Sequence, residues 1–397
     1  MPKIFSIEPA IDPNARPTFL LDWELTMKCN LDCSYCPTPI PGRVPVSMAY
    51  HDNSASHPNL EECLKTIDFM YAYVDTYMQQ KPKWNRAVVL NIYGGESLFH
   101  PDIEEIMQSV KSKHESYQSR WPLTVTCTTN GVVGPNLMKR VVGFVDEFTV
   151  SYHAESLPKQ KQQVLENLKL IKDSGCRLKC VVLMHGDERH WPELQEVIDF
   201  CKLHNIRYLP RHLDGHINSN YSLKQIQWFQ TLWQKRSPTQ SSVKQQEIIS
   251  HKQSAMSNNA HLSDVGRACC GGRLMCTNRE MKDPIFYIPD NNFAGWSCSV
   301  NWYFLYVKQH TGEVFVNKDC RMSFDGTVSP IGYLDNTQDI LDWLTERFEQ
   351  KNMPIIQCAK DLCTCGLCAP KSQSINDFVS IMSKHMIDTN IFDIDKS

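Results

Sequence analysis

Cys29, Cys33 and Cys36 stand at C-x3-C-x2-C spacing in KCNLDCSYCP. Three thiolates on so short a loop can hold three irons of a cubane [4Fe–4S] cluster, because the loop can wrap one face of it. Full ligation takes four cysteines, so a triplet with no fourth nearby leaves one iron open to another ligand. Structural zinc prefers paired C-x2-C units, and a lone triplet suits it poorly. The chain has 17 cysteines in 397 residues. An odd count in a chain of this length does not read as a disulfide framework. Cys63, Cys127, Cys176, Cys180 and Cys201 fall singly or in loose pairs within helix-like or strand-like runs and read as buried thiols that pack as small hydrophobes. Nine more lie between Cys269 and Cys368, and clusters of that density usually bind metal.

Positioning the triplet is the task of the surrounding elements. Apolar runs of strand length span Phe19 to Met27, Ala87 to Tyr93, Leu123 to Thr129, Phe148 to Tyr152, Leu178 to Met184 and Ile206 to Leu209, most of them rich in Val, Ile, Thr, Phe or Tyr. Helical patterns lie between most of them. Leu60, Leu64, Ile67, Tyr71, Val74 and Met78 trace one helix face, with Asn59 and Glu62 as a capping box. Pro101 followed by Asp102, Glu104 and Glu105 reads as a second helix start. Val164, Leu168 and Ile171 mark a third helix, ended by Gly175, and Trp191 to His204 a fourth. Alternation of this kind predicts a parallel sheet with right-handed crossovers. Six units are fewer than the eight of a closed barrel. The expected fold is therefore α/β, a partial (βα)6 TIM-like barrel with its site at the C-terminal strand ends, followed by a small Cys-rich C-terminal domain.

The triplet follows directly on the first strand, and its spacing resembles the C-x3-C-x2-aromatic-C signature of the radical S-adenosylmethionine (SAM) enzymes, with Tyr35 in the aromatic position. Gly94-Gly95-Glu96, at the end of the second strand, resembles the family's GGE motif, whose backbone and carboxylate grip the amino group of SAM. Glycines admit close approach to the backbone and a carboxylate suits an ammonium, although Gly-Gly also makes ordinary strand-to-helix turns. Thr129 and Asn130, in TTNG at the end of the third strand, match the family's TNG turn. The resemblance further implies a ribose contact at Ser151 and an adenine contact at Leu183. It places Arg211 where it would pair with the SAM carboxylate or the substrate, or stand at the surface. His153, near Ser151, is a substrate contact or a structural histidine. The resemblance covers roughly residues 18–215. It implies a [4Fe–4S] cluster that binds SAM at its open iron, reductive cleavage to methionine and a 5′-deoxyadenosyl radical, and hydrogen abstraction from a substrate. An external reductant such as a flavodoxin or ferredoxin is implied as well.

Around the second cysteine group, Trp302 to Val307, the turn at Gly312 and Val314 to Val316 read as a β-hairpin. Cys298 precedes it, Cys320 follows it, and Cys358, Cys363, Cys365 and Cys368 form a distal knot. This resembles the SPASM or twitch extension of radical SAM enzymes, which holds one or two auxiliary [4Fe–4S] clusters. Cys269, Cys270 and Cys276 add further candidates. The spacing departs from that pattern, with G-x7-C after the turn and a compressed knot, and a zinc knot at Cys358 to Cys368 is the alternative. The domains expected are an N-terminal arm over 1–17, the barrel over 18–215, a helical and polar linker over 216–265, the auxiliary domain over 266–370, and a C-terminal helix and tail over 371–397.

Composition narrows the function classes. Apolar residues make up 42%, and Lys+Arg 41 against Asp+Glu 44 leaves a net charge of −3. There is no basic excess for general nucleic-acid binding. No apolar stretch approaches the ~18 residues of a membrane span, and the N-terminus lacks a secretory h-region, so a cytoplasmic enzyme is expected. Family members with auxiliary clusters act mostly on peptides or proteins, by crosslinking or by side-chain oxidation, and others act on small molecules such as nucleosides or sugars. A zinc-stabilised, non-enzymatic binding module is the reading outside enzymes. About 17 residues precede the first strand, so an enzyme that captures a leader peptide through its own N-terminal domain is less expected, though it stays among the readings.

Overall fold

The computed structural model describes residues 6–7, 18–36, 55–79, 87–117, 121–213, 221–236, 293–318, 321–359 and 371–384. Strand β1 (Ser6–Ile7) comes first. Then β2 (Thr18–Thr26), β3 (Ala87–Gly94), β4 (Leu123–Thr129), β5 (Glu147–Tyr152), β6 (Arg177–Met184) and β7 (Arg207–His212) pair side by side, all in parallel. The connecting helices are α1 (Leu60–Gln79), α2 (Ile103–Tyr117), α3 (Pro135–Val141), α4 (Pro158–Asp173) and α5 (Trp191–Leu203), with α6 (Leu223–Arg236) after β7. The molecule is thus a mixed α/β fold on a large parallel sheet.

Alternation along each strand divides the sheet into two faces. One carries Phe19, Leu21, Trp23, Val88, Leu90, Ile92, Cys127, Phe148, Val150, Cys180 and Val182. These pack with the apolar stripes of the helices into one core. Cys63, Cys127, Cys180 and Cys201 are fully buried there, as expected, while Cys176 is half-buried. The opposite face carries polar side chains, among them Asp22, Glu24, Asn91, Thr126 and Thr128.

Helix α1 starts where the sequence signals it. The Asn59 backbone N–H donates to Glu62 (3.0 Å) and the Glu62 N–H to the Asn59 side chain (2.9 Å), a reciprocal cap worth about 1 kcal/mol. Its apolar face, Ile67, Met70, Tyr71 and Val74, is buried, each side chain contributing roughly 1.5–3 kcal/mol. Helix α4 ends at Gly175, whose φ of 81° is the left-handed geometry that favours glycine.

The main sheet continues past these six parallel strands. Strand β8 is Ser297–Cys298, and β9 (Phe304–Lys308), β10 (Glu313–Phe315) and β11 (Gly332–Tyr333) extend the sheet to nine strands. The expected hairpin is present, with Gly312 at φ 72° in its turn. Its first strand lies parallel to β2, from Leu20↔Phe304 to Glu24↔Lys308. Helix α7 (Thr337–Glu349) follows, then β12 (Ile356–Gln357), β13 (Lys371–Ser372) and α8 (Ile375–Lys384). Strands β1, β13, β8 and β12 form a separate four-stranded sheet. Tyr77 of α1 meets Trp302 and Phe348 edge-to-face, with ring centroids 5.5 and 5.2 Å apart.

Candidate functional site

The C-terminal ends of parallel strands bring the turns that follow them to one rim of the sheet. Here the cysteine loop, which follows β2, lies against the turn after β3. The Gly95 N–H donates to the Thr26 carbonyl (2.7 Å) and the Glu96 N–H to the Lys28 carbonyl (2.8 Å). Gly94 and Gly95 permit this contact. A Cβ on Gly94 would stand 2.1 Å from the Thr26 oxygen, and one on Gly95 2.4 Å from the Met27 oxygen. The absence of side chains on the glycine pair thus admits the chain's own cysteine loop.

Glu96 is buried, and its carboxylate accepts from the Leu98 N–H (3.0 Å), the Thr129 hydroxyl (2.7 Å) and the Asn130 N–H (2.5 Å). Burial pushes its carboxyl up to about 7, and these three donors pull against that shift. Asn130 closes the circuit. Its side chain donates to the Asn30 side chain (2.7 Å) and stands 3.6 Å from the Cys29 sulfur. Cys29, Glu96, Thr129 and Asn130, separate in sequence, are thus one hydrogen-bonded unit.

Cys29, Cys33 and Cys36 are half-buried. Burial pushes the Cys29 thiol up to about 11 and the Cys33 thiol up to about 12, and the charge of neighbouring cysteines of the triplet adds to both shifts. Thiols held this way are protonated at neutral pH and lose their protons to a bound metal. That donor set fits a [4Fe–4S] cluster, three thiol sulfurs near one another on a single loop. Among the described residues, no three His, Cys, Asp or Glu side chains converge as ligands of one metal ion. The thiolates of a cubane each bind a different iron and need not converge.

The far side of the loop is clamped by Glu155 and His185, to which no motif in the sequence points, together with Tyr35 and His153. Glu155 accepts from the Ser34 N–H (2.6 Å) and hydroxyl (2.5 Å), and lies 3.2 Å from His185 Nε2. Burial alone would raise the Glu155 carboxyl, but the Ser34 donors and His185 outweigh it and hold it below its ordinary value. His153 Nδ1 stands 2.8 Å from the Tyr35 hydroxyl and 3.3 Å from the Cys33 sulfur. Burial lowers His153 to about 4 and keeps it neutral. Tyr35, only 9% exposed, lies between His153 and His185. The sole sequence signal for this clamp was the run of polar residues just past β5 and β6.

Ser151, Leu183 and Arg211 share the polar face of the sheet. In register, Ser151 lies beside Val181 and Leu183 beside Arg211. All three are half-buried. Further along that face, Asp22 accepts from the Asn91 side chain (2.8 Å) and sits 3.5 Å from Lys318 Nζ. Glu24 accepts from the Tyr306 hydroxyl (2.7 Å) and lies 3.5 Å from His310. Burial raises the Glu24 carboxyl despite that hydroxyl and Lys308.

Of the second cysteine group, Cys298 and Cys358 are buried in the four-stranded sheet. Ile356 pairs with Cys298, and the Cys358 N–H donates to the Trp296 carbonyl (2.9 Å). Strand alternation therefore puts both cysteines on one face. Cys269, Cys270, Cys276, Cys320, Cys363, Cys365 and Cys368 lie outside the described residues, as does most of the expected linker. No helix among the described residues is long and apolar enough to cross a membrane.

No family model and no curated protein matches the chain. Among solved structures it is similar to native anSMEcpe with bound AdoMet and Cp18Cys peptide, at 12% identity and a TM-score of 0.46, with 84% of this chain and 82% of that one covered. Native anSMEcpe with bound AdoMet is similar at 13% identity and a TM-score of 0.46, with the same coverage.

Proposed function

We propose that the chain is a radical SAM enzyme acting on a peptide or protein side chain. The observation that carries the radical SAM reading is the single hydrogen-bonded rim that joins the cysteine triplet to Gly95, Glu96, Thr129 and Asn130. These are the positions at which the sequence resembles that family.

Cys29, Cys33 and Cys36 would hold a [4Fe–4S] cluster, and Gly94, Gly95, Glu96, Thr129, Asn130, Ser151, Leu183, Arg211 and Tyr35 would surround SAM. When bound, the cluster supplies the electron that splits SAM and leaves a 5′-deoxyadenosyl radical to take hydrogen from the substrate. The chain's own part is to present three thiols on a braced loop, to keep His153 neutral beside them, and to line the neighbouring sheet face with polar groups that orient substrate. Auxiliary [4Fe–4S] clusters in the C-terminal segment, with Cys298 and Cys358 among their ligands, belong to the same proposal, as does a flavodoxin or ferredoxin reductant. The same chemistry on a small molecule is the second reading.

The test is anaerobic purification followed by an assay for 5′-deoxyadenosine with SAM and dithionite. Absorbance near about 400 nm and about 8–12 iron per chain are expected, with nucleoside formation lost in Cys33→Ala. Turnover at the parent rate in that variant would overturn the assignment of the triplet. A colourless, zinc-loaded protein would point to the binding-module reading instead.

A further inference from the structure

A cysteine that ligates iron is a thiolate, with no proton of its own to give and a sulfur that accepts hydrogen bonds. At Cys33 one side chain stands ready to donate: His153 Nδ1 lies 3.3 Å from the sulfur. His153 comes from the segment just past β5, about 120 residues further along the chain, so the contact is a product of the fold.

That donor is not loosely held. The rings of Tyr35 and His153 are stacked at an interplanar angle of 5° with centroids 6.0 Å apart, and the Tyr35 hydroxyl lies 2.8 Å from the same Nδ1. The other flank of Tyr35 is packed by His185, 5.7 Å away, which is itself held by Glu155. Glu155 returns to the loop through both donors of Ser34. The circuit Cys33–His153–Tyr35–His185–Glu155–Ser34 therefore closes on the cysteine loop and leaves the imidazole little freedom to swing away.

Once Cys33 has lost its proton, the geometry determines the tautomer. Nδ1 must carry the hydrogen in order to face the sulfur, and the Tyr35 hydroxyl beside it then competes with the sulfur as an acceptor instead of donating to Nδ1. A hydrogen bond to a cluster sulfur draws negative charge from it, which favours the reduced state of the iron and raises the reduction potential.

We infer that His153 is a positioning residue that hydrogen-bonds the Cys33 thiolate and sets how easily the iron site of the triplet is reduced. The inference rests on the cluster reading above, and a readout independent of turnover separates the two. The full chain and its His153→Phe, His153→Gln and Tyr35→Phe variants are reconstituted anaerobically, their iron is counted, and each is titrated redox-potentiometrically without SAM, followed by electron paramagnetic resonance.

The expected result is unchanged iron with a more negative midpoint in His153→Phe. At a fixed potential the ratio of reduced to oxidised cluster should fall by roughly three- to tenfold, a tenfold change corresponding to about 59 mV for one electron. His153→Gln, whose amide still donates, should recover at least half of the shift. An iron-replete His153→Phe with the parent's midpoint would overturn the inference. Should that variant fail to hold iron, Tyr35→Phe decides, since it keeps the ring and removes the hydroxyl that competes with the Cys33 sulfur for Nδ1. A less negative midpoint supports the inference, and an unchanged or more negative one overturns it. A parent chain that takes up no iron would instead defeat the cluster reading itself.

Discussion

Glu96 has its carboxylate buried and pushed up to about 7, so between pH 4.5 and about 7 the folded chain holds a proton that the unfolded chain has released. The stability this group contributes is complete below pH 4.5 and is lost as pH rises through 7. Glu96→Gln removes the titration. In urea unfolding of the metal-free chain it should flatten the decline over that window, by about 3 kcal/mol at most. A variant with the parent's slope would show that Glu96 does not titrate there. The thiols run by related logic. Cys29 at about 11 and Cys33 at about 12 are protonated at neutral pH, so iron uptake must displace protons. Reconstitution in weak buffer should acidify the solution, and apparent iron affinity should rise as pH is raised from 6.5 to 8.5. Affinity independent of pH would contradict thiol ligation. The types and spacing of the triplet were legible in the sequence because its ligands are local. The Glu155 and His185 part of the clamp was not, because these residues come from other loops and carry no spacing signature.

The turn after β3 and the loop after β2 are joined by backbone, so the most sensitive positions are those without a side chain. Gly95→Ala would drive a Cβ to within 2.4 Å of the Met27 oxygen and 2.5 Å of the Lys28 oxygen. Backbone must then move, at a cost of about 1–3 kcal/mol, and the movement falls on the residues leading into Cys29. The expected outcome is a folded chain, lowered in thermal midpoint, that retains much less iron on reconstitution. Full iron retention would show that the loop does not depend on this contact. Strands and long helices were readable from period-two and period-3.6 patterns, and observed ends agree within a few residues. Helix α3 was missed because seven residues are too few to establish a period, although Pro135 at its start was a signal. Helix α7 was missed despite Ile340, Leu344 and Phe348 at helical spacing. Its neighbours are rich in cysteine and glycine, which masked the pattern.

Across the molecule, the C-terminal segment is fastened to the parallel sheet rather than appended to it. Strand β9 lies beside β2, the Tyr306 hydroxyl reaches Glu24, and Trp302 packs between Tyr77 and Phe348. Trp302→Ala should therefore cost about 3–5 kcal/mol and shift one cooperative urea transition, seen alike by fluorescence and by circular dichroism. Two separated transitions in the parent chain would mean that the two parts fold independently. The sequence by itself determined the strand and helix order, the parallel sheet and the thiol triplet, because each of these is written in local periodicity or close spacing. Tertiary structure alone decided that Gly94 and Gly95 seat the cysteine loop, that Glu96 binds Thr129 and Asn130, and that a late hairpin completes the edge of the first strand. Those outcomes depend on which distant backbones and side chains meet when the sheet assembles, and no local pattern encodes that meeting.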